Sequence, residues 1–244
     1  MRLVITMNKK YAPVLVLVAI LILVVGIVFA VRSRSTSDTE MEEENIPELA
    51  EHQRPFTTLT PTEDGHYLVL AVNDIDVPGA SMMEYEIFYE TAEGINQGVP
   101  GRVTLTGPQS VEREILLGSE SSGKFRYDEG VDDGTLTLKF RDVDGKFIGK
   151  VKTTWRLYQG TQDLSSDDGA LTYSLDDVSE SYFVVMNTFG LPASFDGLTT
   201  GPYGVFASDE EDHPGTLNSP FARFEDGQWS DVASSFDNIG IFAK

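Results

Sequence analysis

Residues 83–90 read MEYEIFYE, and the alternation in this stretch indicates the fold class. Every second residue is apolar, and the residues between them are glutamates apart from Phe88. Successive side chains of a strand point to opposite faces, so a period of 2 is typical of a half-buried strand and not of a helix. The residues predicted to face the core are Met83, Tyr85, Ile87 and Tyr89.

The same alternation continues on both sides of this stretch, over residues 55–158. Short apolar runs broken by Gly, Asp and Pro predict six or seven strands in about 100 residues, the spacing of an immunoglobulin- or fibronectin-like β-sandwich. No long amphipathic helix interrupts them, which argues against parallel βαβ architecture. The runs are His66–Asn73, Val103–Leu105, Val111–Leu117, Leu136–Phe140 and, after an Asp144-Gly145 turn, a strand with Phe147, Val151, Trp155 and Leu157 facing inward. We interpret Gly118–Gly123 (GSESSG) as a loop.

A second, smaller β module is predicted over residues 159–244. Small polar residues at 159–169 indicate a boundary, and an Asp226-Gly227 pair predicts a second hairpin turn. The predicted strands are Leu171–Leu175, Tyr182–Met186, Tyr203–Ala207, Phe221–Glu225, Gln228–Val232 and Ile239–Ala243.

The N-terminal part of the chain predicts a membrane anchor. Residues 12–31 read APVLVLVAILILVVGIVFAV without a charged side chain, and twenty helical residues span ~30 Å, the thickness of a bilayer core. Three Lys and Arg residues precede this span and two follow it, which favours a cytoplasmic tail at residues 1–11 and an extracytoplasmic C-terminal part. The predicted location is therefore the cell membrane, in a single pass. The alternative is a signal peptide cleaved after Ala30.

An acidic stalk is predicted between the anchor and the β structure, at residues 32–54. All 39 Asp and Glu residues lie after residue 34, whereas five of the 18 Lys and Arg residues lie within residues 1–34, so residues 35–244 carry a net charge of −26. Such a surface repels nucleic acid, which we exclude as a partner. The chain has no cysteine, so disulfides and a lipidated cysteine are excluded as well.

The sequence shows no pattern of catalytic or cofactor-binding residues. The three histidines, His52, His66 and His213, have no partners at the spacing of a metal site or a catalytic triad, and no phosphate-binding glycine loop occurs. We therefore predict no catalytic residue, metal or cofactor, and a protein that is not an enzyme. Calcium stays open at Asp74–Asp76 and Asp142–Gly145, although neither run supplies the remaining oxygens that Ca²⁺ needs and Asp is also a common turn residue. The charged tip Asp209–His213 is interpreted as a solvated loop, with a cation site as the alternative.

Aromatic residues in and near one long loop are the candidates for ligand binding. The loop Asn187–Tyr203 is long, and such loops are often functional. The predicted ligand-binding residues are Trp229, Phe195 and Tyr203. Packing of the loop over the end of a sheet is the alternative.

Several segments of the chain resemble those of a protein family. They are Gln53-Arg54-Pro55-Phe56, Val99-Pro100-Gly101, Glu112–Lys146, Phe183–Pro192 and Gly201–Phe206. This text resembles uncharacterised single-span, membrane-anchored envelope proteins of bacteria with β-sandwich ectodomains. The resemblance implies a membrane-attached β protein and brings no activity, ligand or catalytic residue.

Together these features predict a non-enzymatic binding or assembly component of the cell envelope, anchored through residues 12–31, with an envelope protein or a glycan as its partner. The alternative is a carbohydrate-binding or calcium-dependent adhesive module. A hydrolase working through two carboxylates is a third class, for which the sequence distinguishes no pair.

Overall fold

The computed structural model describes residues 46–244. The predicted anchor at residues 12–31 and most of the predicted stalk lie outside the described residues. Within residues 46–244, no helix has the length and apolar character needed to cross a bilayer. The described chain is mainly β with antiparallel sheets, as the alternation predicts, and it contains one 3₁₀ turn at Glu51–Gln53.

Seventeen strands occur in the described residues. They are β1 (Phe56–Pro61), β2 (Tyr67–Ile75), β3 (Met82–Glu90), β4 (Asn96–Thr104), β5 (Gln109–Leu116), β6 (Gly118–Ser121), β7 (Lys124–Tyr127), β8 (Asp133–Arg141), β9 (Phe147–Gln159), β10 (Asp163–Ser165), β11 (Thr172–Leu175), β12 (Tyr182–Asn187), β13 (Tyr203–Ala207), β14 (Gly215–Glu225), β15 (Gln228–Trp229), β16 (Ala233–Phe236) and β17 (Ile241–Ala243).

These strands form three sheets. A three-stranded sheet has the order β1-β2-β5, and a two-stranded sheet is the hairpin β6-β7. The main sheet has the order β10-β11-β14-β17-β13-β12-β9-β8-β3-β4, and β15 and β16 pair with β14 at its side. The predicted boundary between residues 158 and 159 falls at the end of β9, which pairs with β12. Hydrogen bonding therefore continues across it, and the division into two modules stays a prediction.

The first core lies between the three-stranded sheet and one end of the main sheet. Leu68, Leu70 and Val72 of β2 are buried in one cluster with Leu136 and Leu138 of β8. In β8, alternation with threonine and lysine marks Leu136 and Leu138 as inward, and their burial confirms this face. In β2 both faces are apolar, so alternation alone does not choose the face that the structure buries. The two sheets pack face to face because each has one apolar surface to remove from water.

Strand β12 separates this core from a second one. Val184 and Met186 belong to the first cluster, whereas Phe183 and Val185 belong to a second cluster with residues of β11, β13, β14 and β17. Because neighbouring side chains of a strand point to opposite faces, one strand contributes to both cores. This explains why the run YFVVM is apolar at every position.

The last residues of the predicted stalk are packed onto the sheet. Leu49 is buried in the first cluster, and its N–H donates to the Lys150 carbonyl at 2.9 Å. A Cβ on Gly149 would lie 2.3 Å from the Leu49 side chain, so the glycine leaves the space that Leu49 fills. Residues from Pro47 onward accordingly belong to one compact unit that extends to Lys244.

The prediction for Phe147 is wrong. A β-bulge shifts the register where Arg141 of β8 pairs with Phe147, and Ile148 packs against the first cluster instead. Phe147 lies under the Arg141 guanidinium, 3.3 Å from its Cζ to the ring centroid. An extra residue in one strand reverses the faces of the residues beyond it, which simple alternation does not reveal.

Trp155 lies at the centre of the first core and is fully buried, which confirms the predicted inward face. Its indole packs against the backbone of Gly134 on the neighbouring strand. A Cβ on Gly134 would lie 2.5 Å from the indole and 2.3 Å from the Phe88 carbonyl oxygen. The Trp155 ring therefore fills the space that a side chain at position 134 would need.

Trp155→Ala is expected to lower the free energy of unfolding by ~3–5 kcal/mol, because it leaves a large cavity where the surroundings relax little. Trp229→Ala is the matched control, since Trp229 is only half-buried. Urea unfolding of both variants checks this. A smaller loss for Trp155→Ala than for Trp229→Ala would contradict the central place of Trp155.

Candidate functional site

Two of the three predicted ligand-binding residues lie together. The rings of Phe195 and Trp229 meet edge to face with centroids 4.9 Å apart, and Phe224 lies 5.3 Å from Trp229 on its other side. The Trp229 indole donates to the Ala193 carbonyl at 3.3 Å. All three rings are half-buried. We call Phe195, Phe224 and Trp229 the aromatic trio; it joins the long loop to the β14-β15 hairpin.

Tyr203, the third predicted residue, lies elsewhere. It is buried in the second core and packs edge to face against Phe221. Its hydroxyl donates to the Asp168 carboxylate, which also accepts a 2.6 Å hydrogen bond from Ser166. Burial and then the bond to Asp168 raise the pKa of the Tyr203 phenol. Tyr203 is thus held by Asp168, and it lines the same cleft as Asp168, apart from Phe195 and Trp229. Its predicted role in ligand binding stays a prediction.

The pKa of Asp168 is lowered by its partners. Burial alone would raise it, but hydrogen bonds from Ser166, Tyr203 and the Ala170 N–H outweigh the burial. Asp168 lines a cleft of about 540 Å³ whose walls carry both charges. The charged lining residues are Glu48, Arg54, Lys152, Asp167 and Asp168.

Of the aspartates considered for calcium, Asp142 serves a turn and Asp74 lies within strand β2, where the register shifts. Asp142 accepts hydrogen bonds from the N–H groups of Asp144 and Lys146, at 3.0 and 2.9 Å, and so closes the β8-β9 turn. Asp74 has a φ of 52°, in the left-handed region that Asp tolerates better than most residues. Within residues 46–244, no three His, Asp or Glu side chains lie together as a metal site requires.

A serine, an aspartate and a histidine meet at Asp209, but in an order unlike that of a nucleophilic triad. Asp209 accepts a hydrogen bond from Ser181 and lies 2.7 Å from His213 Nε2. In a hydrolase the histidine stands between the serine and the carboxylate, so that it can take the serine proton. Here the carboxylate stands in the middle, and His213 is buried against Phe183. These contacts connect the segment just before β12 with the segment just before β14.

The interpretation of Gly118–Gly123 as a loop is wrong. Residues 118–127 form the hairpin β6-β7, whose turn residues Ser122 and Gly123 have φ values of 54° and 74°. Two successive positive φ values are the feature of a type I′ turn, whose twist suits a two-residue hairpin. Both strands are almost entirely exposed, so no apolar alternation marks them in the sequence.

This hairpin carries an exposed row of aromatic rings. Phe125 is 50% and Tyr127 38% exposed, and their rings are nearly parallel with centroids 6.3 Å apart. His66 stacks on Tyr127 at 3.7 Å and 5°, and Tyr67 meets Tyr127 edge-on at 6.3 Å. We call His66, Phe125 and Tyr127 the aromatic ladder. Sequence reasoning missed it because its members come together only through the hairpin.

Comparison with protein-family models, with curated proteins and with solved structures finds no match to this chain. These comparisons therefore identify no family, and of the suggested resemblance the structure shows only a mainly β protein with antiparallel sheets.

Asp168→Asn is expected to destabilise the protein at pH 7. Ser166 donates to one carboxylate oxygen of Asp168 and Tyr203 to the other, and an amide keeps only one acceptor oxygen, so one of these hydrogen bonds is lost. A lowered pKa contributes stability that is present above the ordinary value of 3.8 and is lost as the pH falls through the folded-state value. The gap between parent and variant should therefore narrow below about pH 4.

Urea unfolding at pH 7, 5 and 3 measures this gap. Asp177→Asn is the control, since Asp177 is exposed and should show little change at any pH. A gap for Asp168→Asn that is constant from pH 7 to pH 3 would contradict the role given to the ionised carboxylate.

Proposed function

We propose that this chain is a single-span membrane protein whose extracytoplasmic β structure binds a partner in the cell envelope without catalysing a reaction. The observation that carries the proposal is the aromatic ladder on the exposed hairpin. Large apolar side chains that cluster at the surface often mark interaction sites, and aromatic residues are enriched at the interfaces between proteins.

The strand order supports the finer assignment to an immunoglobulin- or fibronectin-like sandwich. The order β1-β2-β5 corresponds to strands A, B and E of that architecture, and β4-β3-β8-β9 to strands C′, C, F and G. The ladder hairpin is then an insertion between strands E and F. Loops and insertions at the ends of such sandwiches commonly carry binding residues on a rigid support.

The anchor supports the proposed location. The uncharged run at residues 12–31 is long enough to span a bilayer, and the lysines and arginines around it favour an extracytoplasmic C-terminal part. The strongly acidic composition keeps the β structure soluble and away from anionic lipid surfaces.

A second candidate function is the binding of carbohydrate at the aromatic trio. The pairing of Phe195 with Trp229 favours it, since sugars pack on aromatic faces, and the long loop gives room for variation. Because each ring of the trio is half-buried and the indole N–H is used by Ala193, less ring surface is open there than at the ladder.

The function is tested by covalent capture of envelope partners on the full chain in its native membrane. The hairpin variant Phe125→Ser/Tyr127→Ser should lose the captured partner. The control variant Val143→Ser/Val232→Ser removes two apolar side chains elsewhere that are more exposed than Phe125 and Tyr127, and it should keep the partner. Loss of capture with Trp229→Ala, but not with the hairpin variant, would reject the ladder in favour of the trio.

The topology is tested by protease treatment of intact, wall-stripped cells. Residues 55–244 should be digested from outside, because the anchor places them beyond the membrane. Digestion only after lysis would reverse the proposed orientation.

A further inference from the structure

Two grooves flank the aromatic ladder. The larger has a volume of about 430 Å³, and its lining includes Asp64, His66, Glu129, Asp132, Tyr158 and Tyr182. The smaller has a volume of about 260 Å³, and its lining includes Glu93, Ile95, Tyr127 and Glu129. Asp128 and Glu129 line both, so the two grooves adjoin.

The stacked pair His66–Tyr127 lies between the grooves, since His66 lines the larger and Tyr127 the smaller. Ile95, 47% exposed, adds an apolar side chain to the smaller groove. In the larger groove the Tyr182 ring packs against Gly65, where a Cβ would lie 2.4 Å from the ring. An extended ligand that crosses the ladder would therefore meet aromatic surface in both grooves.

The charge around the ladder is almost entirely negative. Carboxylates line both grooves, whereas Arg126 is the one Lys or Arg side chain among the described residues that line either. Within the described chain, Glu93, Glu129 and Asp132 are exposed and form no ion pair that would neutralise them. Hydrogen bonds from Thr62 and from the His66 N–H lower the pKa of Asp64, so its carboxylate stays ionised.

We propose that the ladder and its two grooves bind a cationic peptide segment, in which Lys or Arg side chains lie against the aromatic faces and reach the carboxylates of the grooves. This rests on the proposed function and names the chemical class of its partner. Cations are attracted to the faces of aromatic rings, and arginine is the side chain most often found there. Carboxylates beside the rings add charge-assisted hydrogen bonds to guanidinium groups.

Charge complementarity selects this occupant over others. A neutral glycan can donate hydroxyl hydrogen bonds to the groove carboxylates but gains no attraction between opposite charges, and a nucleic acid would be repelled by them. A bare metal ion would leave the exposed rings without a partner, and no three acidic side chains of the described residues converge on one point.

The test uses the purified full chain in detergent and fluorescence anisotropy of a labelled 12-residue peptide of alternating Gly and Arg, in about 0.1 M salt, where distant charges are screened. A Gly/Glu peptide of equal length is the counter-probe. The Gly/Arg peptide should bind and the Gly/Glu peptide should not. Phe125→Ala, which changes no charge, should weaken binding about threefold, the loss of one exposed cation–π contact.

Matched charge variants separate a local site from general attraction to an acidic protein. Glu129→Gln/Asp132→Asn should weaken binding about fivefold or more, the sum expected of two exposed ion pairs. Glu112→Gln/Asp144→Asn makes the same charge change at exposed positions that line neither groove and should leave binding within twofold. Arg126→Gln should strengthen binding, because it removes the one opposing charge of the grooves.

Equal weakening by the two double variants would overturn the proposal, since only the net charge would then matter. Competition by a neutral chito-oligosaccharide at the ladder would overturn it in favour of a glycan. If envelope capture depends on Phe125 and Tyr127 while the Gly/Arg peptide fails to bind, the proposed function stands and the cationic partner is rejected. If the peptide binds at the ladder but capture does not depend on it, the proposed function is rejected.

Discussion

The structure depends on one strand that is buried on both faces. In β12 the side chains alternate between two cores, with Val184 and Met186 on one side and Phe183 and Val185 on the other. A slip of one residue would exchange every side chain between the cores, so the register is fixed by both at once. The pairing of β12 with β9 and with β13 makes the main sheet continuous. Strand β12 therefore forms part of both cores. The first core has Trp155 at its centre, and the second contains Tyr173 and Phe221.

Parts of the molecule that belong to neither core are available for contacts with other molecules. The hairpin β6-β7 belongs to neither cluster, and its side chains contribute little to burial. Tyr127 of this hairpin stacks on His66, which precedes β2, and is not inserted into a core. A rigid support that holds exposed aromatic rings beside open grooves is the arrangement expected of a binding surface. The aromatic trio differs, because its rings mainly hold a loop in place.

Much of the fold is predictable from the sequence because alternation marks the inward face of many strands. The faces of β3 and β8 and the position of Trp155 follow from a period of 2 alone, whereas β2 is apolar on both faces. What could not be predicted depends on tertiary contacts. The bulge at Phe147 is set by pairing with β8, and the hairpin at residues 118–127 has no buried side to produce a pattern. The hydrogen bond of Tyr203 to Asp168, 35 residues away, and the cleft that both residues line are also set by tertiary contacts. The turn of this hairpin, where Ser122 and Gly123 have positive φ values, is only weakly marked in the sequence. Asn-Gly and Asp-Gly are the usual pairs in such turns, and Ser-Gly is less usual.

The claim that β12 couples the two cores is tested most directly by following the unfolding of the protein with one tryptophan at a time. The chain has two tryptophans. Trp155 lies in the first core, and Trp229 contacts Phe224 of β14, a strand that contributes Leu217 and Phe221 to the second core. In Trp229→Phe the remaining fluorescence reports Trp155, and in Trp155→Phe it reports Trp229. Urea unfolding followed by fluorescence and by far-ultraviolet circular dichroism should give coincident midpoints within each variant, as a single cooperative unit requires. Two resolved transitions, with one core unfolding while the other stays intact, would contradict the account.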